Sequence, residues 1–240
     1  AGASVGGAIA FLLTGALGWR FGIALTPLLA FLGAILAVVL VYLIARVDGR
    51  IPIMSLLLSG IALNTVLSAV LSFLIYFSTK ELQSLIYWLM GSFNGRGWLH
   101  VGIILPHLVI GLVLAVYLAR DLNALSLGEE AAATLGVHVE GSKRLLLLAS
   151  TLLTAGAVSV SGIIGFVGLL VPHISRLLFG PDHRLLLPAS ALLGSIFLVI
   201  ADLLSRIIIA NAQLPVGIIT SICGGPFFLY LLRRNQARRF

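Results

Sequence analysis

The sequence predicts an all-α polytopic membrane protein, and three observations carry that prediction. Charged residues make up only 10% of the chain, with 15 Lys/Arg and 8 Asp/Glu among 240 residues. Those charges gather in short clusters separated by long apolar runs. The hydrophobic fraction is 60% and the mean hydropathy +1.16, far from the composition of a soluble domain. A chain crossing lipid must satisfy its own backbone hydrogen bonds, so uncharged runs of about 20 residues become spanning helices.

Eight segments qualify, at about 1–18, 25–45, 53–77, 101–119, 144–161, 163–179, 185–209 and 215–232. The first carries Gly2-x-x-x-Gly6 and Ala3-x-x-x-Gly7, small-residue pairs that let helix backbones approach closely. The second stops at the Arg46 to Pro52 cluster. The third carries Gly60, Asn64, Ser68 and Ser72 at intervals of four, which on a helix form one slowly drifting small and polar stripe. That stripe suits either helix–helix hydrogen bonding or the lining of a water-filled pathway. Before the fourth segment, residues 78–100 have an apolar middle that predicts a short helix at the outer surface.

The fifth and sixth segments form a hairpin. Between Arg144 and Arg176 lie 31 residues without a charge. One helix of that length would reach ~46 Å, against a hydrocarbon core of ~30 Å. Basic residues flank both ends of the stretch, so the chain turns back, with Gly162 and Gly165 as the break. The arms are short, and any part of the turn at membrane depth must be covered by protein. Gly162, Gly165 and Gly168 also offer close packing, and Pro172 with His173 predicts a kink with a satisfied histidine. In the seventh segment, Asp202 and Arg206 stand at i and i+4 and can pair. In the eighth, Cys223 reads as a small packing residue; a lone cysteine allows neither an internal disulfide nor a Cys-rich metal site.

Eight crossings put both ends on one side. That side holds Arg46, Arg50, Arg120, Lys143, Arg144, Arg176, Arg184, Arg233, Arg234, Arg238 and Arg239, eleven of the 15 basic residues. The other holds Arg20, Lys80, Arg96 and Arg206. The positive-inside rule makes the first side, with the C-terminus, cytoplasmic. Trp19, Trp88 and Trp98 then fall on the external side as interfacial anchors. The cytoplasmic loop 120–143 is the most polar stretch: Gly128 and Gly136 bracket a short Ala-rich helix that opens with Glu129 and Glu130, as a helix N-terminus favours. Such a helix is a handle for a partner protein. The formal charge of +7 flanks apolar runs instead of forming a stripe, which argues against nucleic acid as a partner. No phosphate loop, His-Glu-x-x-His or Gly-x-Ser-x-Gly occurs, so the chain is not expected to be an enzyme. Starting without Met inside an apolar run, it reads as a single transmembrane domain over 1–240 that lacks an N-terminal part.

Three stretches carry a family resemblance: GEEAAATLGV (128–137), GFVGLLVPHISRLLFGPDHRLLLPASALLGSIFLVIADLLSR (165–206) and LPVGIITSICGGPFFLYLLRR (214–234). The external WLMGSFNGRGW (88–98) fits with them. The chain resembles the FecCD family, the membrane permeases of bacterial and archaeal ABC importers for iron–siderophores, haem and vitamin B12. The resemblance implies a fold of about ten helices, of which about eight are here. It implies a cell-membrane permease that works as a dimer, most simply a homodimer, with two ATP-binding subunits and an external substrate-binding protein. ATP and Mg would sit on the ATPase subunits, with no cofactor or metal held by this chain. It implies ATPase coupling at Leu125, Gly128, Glu129, Ala132, Leu135 and Gly136, with Thr134 standing where relatives often carry a basic residue. Arg206 and Arg96 become docking residues for the binding protein, the stripe Gly60, Asn64, Ser68 and Ser72 lines the passage, and Arg50 and Pro52 belong to a cytoplasmic gate. The alternatives are an ion-gradient-driven secondary transporter, which would need ionisable groups near the bilayer midplane, and a non-transporting scaffold.

Overall fold

A computed structural model describes residues 1–17, 22–47, 49, 51–77, 82–209 and 213–236. The described residues form eleven helices: α1 (Gly2–Leu17), α2 (Gly22–Ala45), α3 (Ile53–Phe77), α4 (Leu82–Leu89), α5 (Trp98–Tyr117), α6 (Ala119–Leu125), α7 (Glu129–Thr134), α8 (Val139–Ser161), α9 (Val167–Phe179), α10 (His183–Ile207) and α11 (Val216–Gln236). Five of them are long and apolar enough to cross a membrane: the 25–45 part of α2, and α3, α5, α8 and α10. Three shorter apolar stretches lie in α1, α9 and α11. Together these eight match the eight segments read from hydropathy. The predicted all-α membrane architecture is the one observed.

Small residues set the closest packing. α1 lies along α2, where a β-carbon on Gly2 would collide with the Gly33 carbonyl and one on Gly6 with the Leu29 carbonyl. The Gly2/Gly6 pair therefore works as read. Gly162 also sits against backbone, but Gly168 faces open space and Gly165 only approaches the Ser221 hydroxyl, so the sixth segment does not pack through a glycine ladder. α3 is the least covered span, with Ser59 its one buried residue.

The hairpin turn is real. α8 ends on Gly162, whose φ of 72° and ψ of −164° suit glycine alone, and α9 starts after Phe166. The second positive-φ position of the break is Phe166 (φ 66°), not Gly165. Phe166 is tolerated because its side chain seats over Gly224 of α11, where any β-carbon would displace it. The α9 helix of 13 residues reaches only ~20 Å, less than the hydrocarbon thickness. Neighbouring backbone covers part of the turn, with Gly162 buried and Ile163 38% exposed. Gly91 rests on the Ile163 carbonyl, Gly162 on the Trp88 carbonyl and Gly217 on the Met90 carbonyl. Ser92 N–H donates to the Ser161 carbonyl (2.8 Å) and Gly217 N–H to the Gly91 carbonyl (3.3 Å).

Four readings change. The short outer helix exists as α4, but Trp88 is not an interfacial anchor: it is 5% exposed, packed with Ala3 and Ala30 and edge-on to Phe11. Tertiary packing places the ring over Gly7, where a β-carbon would collide with it. Trp98, 89% exposed, keeps the anchor's setting, while Trp19 lies outside the described residues. The His173 side chain makes no hydrogen bond among the described residues and packs edge-on to Phe227 at 6.1 Å. Cys223 is exposed rather than packed. The loop expected over 120–143 contains α6 as well as α7, and α8 begins earlier than expected, carrying Glu140, Lys143 and Arg144 in its first turns.

Candidate functional site

One end of the bundle carries a folded polar platform. α7 is bracketed by Gly128 (φ 110°) and Gly136 (φ 84°), backbone conformations that favour glycine. Neither glycine has a neighbour in the way of a side chain, so conformation and not space demands them. Ala132 is fully buried and anchors the helix from beneath. Leu135, 66% exposed, and Leu127 project outward, and Leu125 ends α6 half-buried. The leucines that flank α7 are thus exposed while the alanine at its centre is buried.

Side-chain hydrogen bonds tie this platform to the spans. Lys143 Nζ of α8 pairs with Glu129 at 2.7 Å and with Glu140 at 3.3 Å. The same ammonium donates to the Ile51 carbonyl (3.3 Å), and the Ile51 N–H donates to Glu140 Oε2 (3.1 Å). Arg144 donates to the Gly49 carbonyl (3.4 Å). Residues 49 and 51, in the predicted gate segment, are thus bolted to the start of α8. Ser142 donates to Asp121 of α6. Asn123 of α6 donates to Asp182 Oδ1 (2.6 Å), and its own Oδ1 accepts from the His183 N–H (2.9 Å). Asp182 caps α10 by accepting from the Arg184 N–H (3.0 Å). That backbone bond, followed by the Asn123 amide, holds the Asp182 carboxyl below the usual carboxylate range. Glu129 is 45% exposed, so solvent screens its pair with Lys143, and the pair contributes at most about 1 kcal/mol. Its importance is positional.

The sequence reading found α7 and its glycines but missed Lys143, Glu140, Asp121, Asn123, Ser142 and Asp182. Pro52 is exposed at the mouth of α3, beside buried Ile51; Arg50 lies outside the described residues.

The polar stripe of α3 is divided by the structure. Gly60 and Asn64 line a cleft of about 360 Å³ with Val41, Leu56, Ser150 and Thr154. Ser68 and Ser72 lie outside it, and Ser72 donates within its own helix to the Ser68 carbonyl (3.0 Å). The Asn64 side chain makes no hydrogen bond among the described residues and is exposed. At the opposite end, Arg206 Nε meets Asp202 Oδ2 at 2.9 Å, the i,i+4 pair the sequence predicts. The arginine remains 45% exposed, against 24% for its partner. Arg96 is exposed and touches His100 Nε2 (3.3 Å). Phe93 of the same loop packs on the buried cluster of Ala201, Val216 and Ile219, so Arg96 and Arg206 share one end of the bundle. Among the described residues no cluster of His, Cys, Asp or Glu could hold a metal ion.

The fold and these features define a helical membrane protein with a cleft along one span and a polar, helix-bearing platform at one end. The FecCD transport family matches residues 1–234, and the chain belongs to that family. It is 51% identical over 209 residues to the cobalamin import system permease protein BtuC of Halobacterium salinarum, covering 87% of this chain and 56% of that one. It is 40% identical over 215 residues to the iron(3+)-hydroxamate import system permease protein FhuG of Bacillus subtilis, covering 89% of this chain and 64% of the relative. With the hemin transport system permease protein HmuU of Yersinia pestis it shares 42% over 215 residues, covering 88% of this chain and 63% of HmuU. The chain thus spans between 56% and 64% of the length of these relatives. A solved structure described as the inward-facing conformation of a proposed metal-chelate-type ABC transporter superposes with a TM-score of 0.82. That match is at 31% identity and covers 97% of this chain and 73% of the other.

Proposed function

We propose that this chain is a membrane permease of an ATP-binding-cassette importer that moves a metal chelate into the cytoplasm of a bacterial or archaeal cell. Two copies pair to form the passage, two ATP-binding subunits grip the platform, and an external binding protein delivers the chelate at the end that carries Arg206 and Arg96. ATP and Mg act on the ATPase subunits; this chain contributes no catalytic group. The cargo class follows from relatives named for cobalamin, iron–hydroxamate and hemin.

The observation that carries this reading is α7: an outward-facing helix held to a span by the Glu129–Lys143 pair, on the side where eleven of the 15 basic residues lie. An energy source must act from outside the bundle, and α7 is the feature built to receive it. The C-terminus would lie on the same, cytoplasmic, side. The uncovered flank of α3, with Asn64 on its cleft, would face the second copy and the passage.

Gly136→Trp tests the reading. It places a bulky side chain at φ 84°, where L-residues are strained, on the gripped surface. ATPase stimulation and chelate uptake in proteoliposomes should both collapse while the protein still folds. Unchanged coupling would remove α7 from the mechanism.

A further inference from the structure

Lys143, Glu140 and Arg144 of α8 join the segment between α2 and α3 to the platform, and among the described residues Lys143 alone also pairs with α7. Lys143 sits at the first turns of α8 and is largely buried. It reaches in two directions at once: toward Glu129 at the start of α7 (2.7 Å) and toward the Ile51 carbonyl (3.3 Å). Glu140 closes the figure by pairing with Lys143 (3.3 Å) and accepting from the Ile51 N–H (3.1 Å). Ile51 is itself 2% exposed, so its backbone has no water to turn to if these partners leave.

We infer that Lys143 is the positioning residue that transmits displacement of α7 to the start of α3. The inference rests on the importer reading above and adds the route by which the ATPase would reach the passage. An ammonium with three donors is suited to such a link, because it can hold two carboxylates and a carbonyl together as a point charge spanning three elements. When α7 shifts, Glu129 draws Lys143 along. Lys143 and Glu140 hold both polar groups of Ile51, so the backbone entering α3 must follow or leave a buried N–H and C=O unpaired. Among the described residues Lys143 is the side chain that touches both α7, through Glu129, and the backbone entering α3, through Ile51.

The test uses the full permease in complex with its ATPase subunits. A spin label at Ile53→Cys, two residues beyond the link and exposed, is introduced in a Cys223→Ser background. It reports the separation of the two α3 starts in a paired permease. ATP binding should shift that distance in the otherwise native protein. Lys143→Gln should abolish the shift while the ATPase subunits still bind, and should lower uptake per ATP hydrolysed about 5- to 150-fold, the range of ordinary allosteric couplings. Lys143→Arg, which keeps the charge and the donors, should restore most of it. If Lys143→Gln fails to fold, Glu140→Ala serves instead, since it frees the Ile51 N–H and leaves the Lys143–Glu129 pair intact. A full shift in Lys143→Gln, no shift in the native protein despite bound ATPase, or loss of ATPase binding together with the shift would each overturn the relay. Failure of the native permease to bind any ATPase would sink the importer reading instead, a result read before any Lys143 variant is made.

Discussion

Replacing Gly162 by alanine should damage this protein far more than the loss of one glycine suggests. At φ 72° and ψ −164° the residue occupies a region open essentially to glycine, where another residue costs about 1–3 kcal/mol. The added β-carbon would also lie on the Trp88 carbonyl, a backbone atom that no rotamer change can move. Overpacking of that kind costs about 1–3 kcal/mol. The two together come to about 2–6 kcal/mol. For a protein of this size each kcal/mol lowers Tm by about 2–4 °C, so Gly162→Ala should melt at least about 4 °C lower. Gly168→Ala is the internal control. Gly168 is helical and has nothing within 4 Å of its β-position, so alanine there should be neutral or gain up to about 1 kcal/mol. Thermal melts of both variants in detergent, followed by far-UV circular dichroism, decide the matter. A Gly162→Ala melt within about one degree of the native protein would refute the backbone-contact account of the turn.

Three further expectations follow from the polar ends and the cleft. Arg206→Glu should weaken binding-protein docking with a loss that shrinks as salt rises, whereas Asp202→Asn should leave docking near native; equal effects of both changes on affinity and melting would reduce Arg206 to a structural partner. Asp182 is held below the usual carboxylate pKa, so the stability it contributes is present above the unfolded value of about 4 and is lost as pH falls through the folded value. Asp182→Asn should therefore melt below the native protein at neutral pH, with the gap closing under acid; a gap that does not depend on pH would place its effect elsewhere. Asn64→Phe fills the cleft beside Gly60 and should abolish uptake without preventing assembly, measured as transport by a monodisperse complex.

The spans were legible because lipid leaves the sequence little choice. α3 lies within the uncharged run 51–79 and keeps the bounds 53–77 read for that span, and α2 stops at the cluster that opens with Arg46. α7 was legible because two glycines and two glutamates mark its start and end locally. What escaped was set by distance along the chain. Nothing near Lys143 says that it will meet Ile51, 92 residues earlier, and as one charge among many it reads only as topology. α6 was hidden because its polar residues find their partners far away, Asn123 at Asp182 and Asp121 at Ser142. Trp88 obeys the same rule: a tryptophan near a span end suits the interface until tertiary packing offers it a groove. Phe166 carries no local mark of positive φ at all, since its conformation is permitted by Gly224, far along the chain in α11.

The three glycine-on-carbonyl seats at Gly91, Gly162 and Gly217 join main chain directly to main chain, with no side chains between them to swap rotamers. Any rigid-body tilt of α8 about this junction would move its far end most. α8, with 23 residues, leaves this pivot and runs about 34 Å to the end that holds Lys143. A tilt of about ten degrees at the pivot would swing that far end by about 6 Å, close to one helical turn.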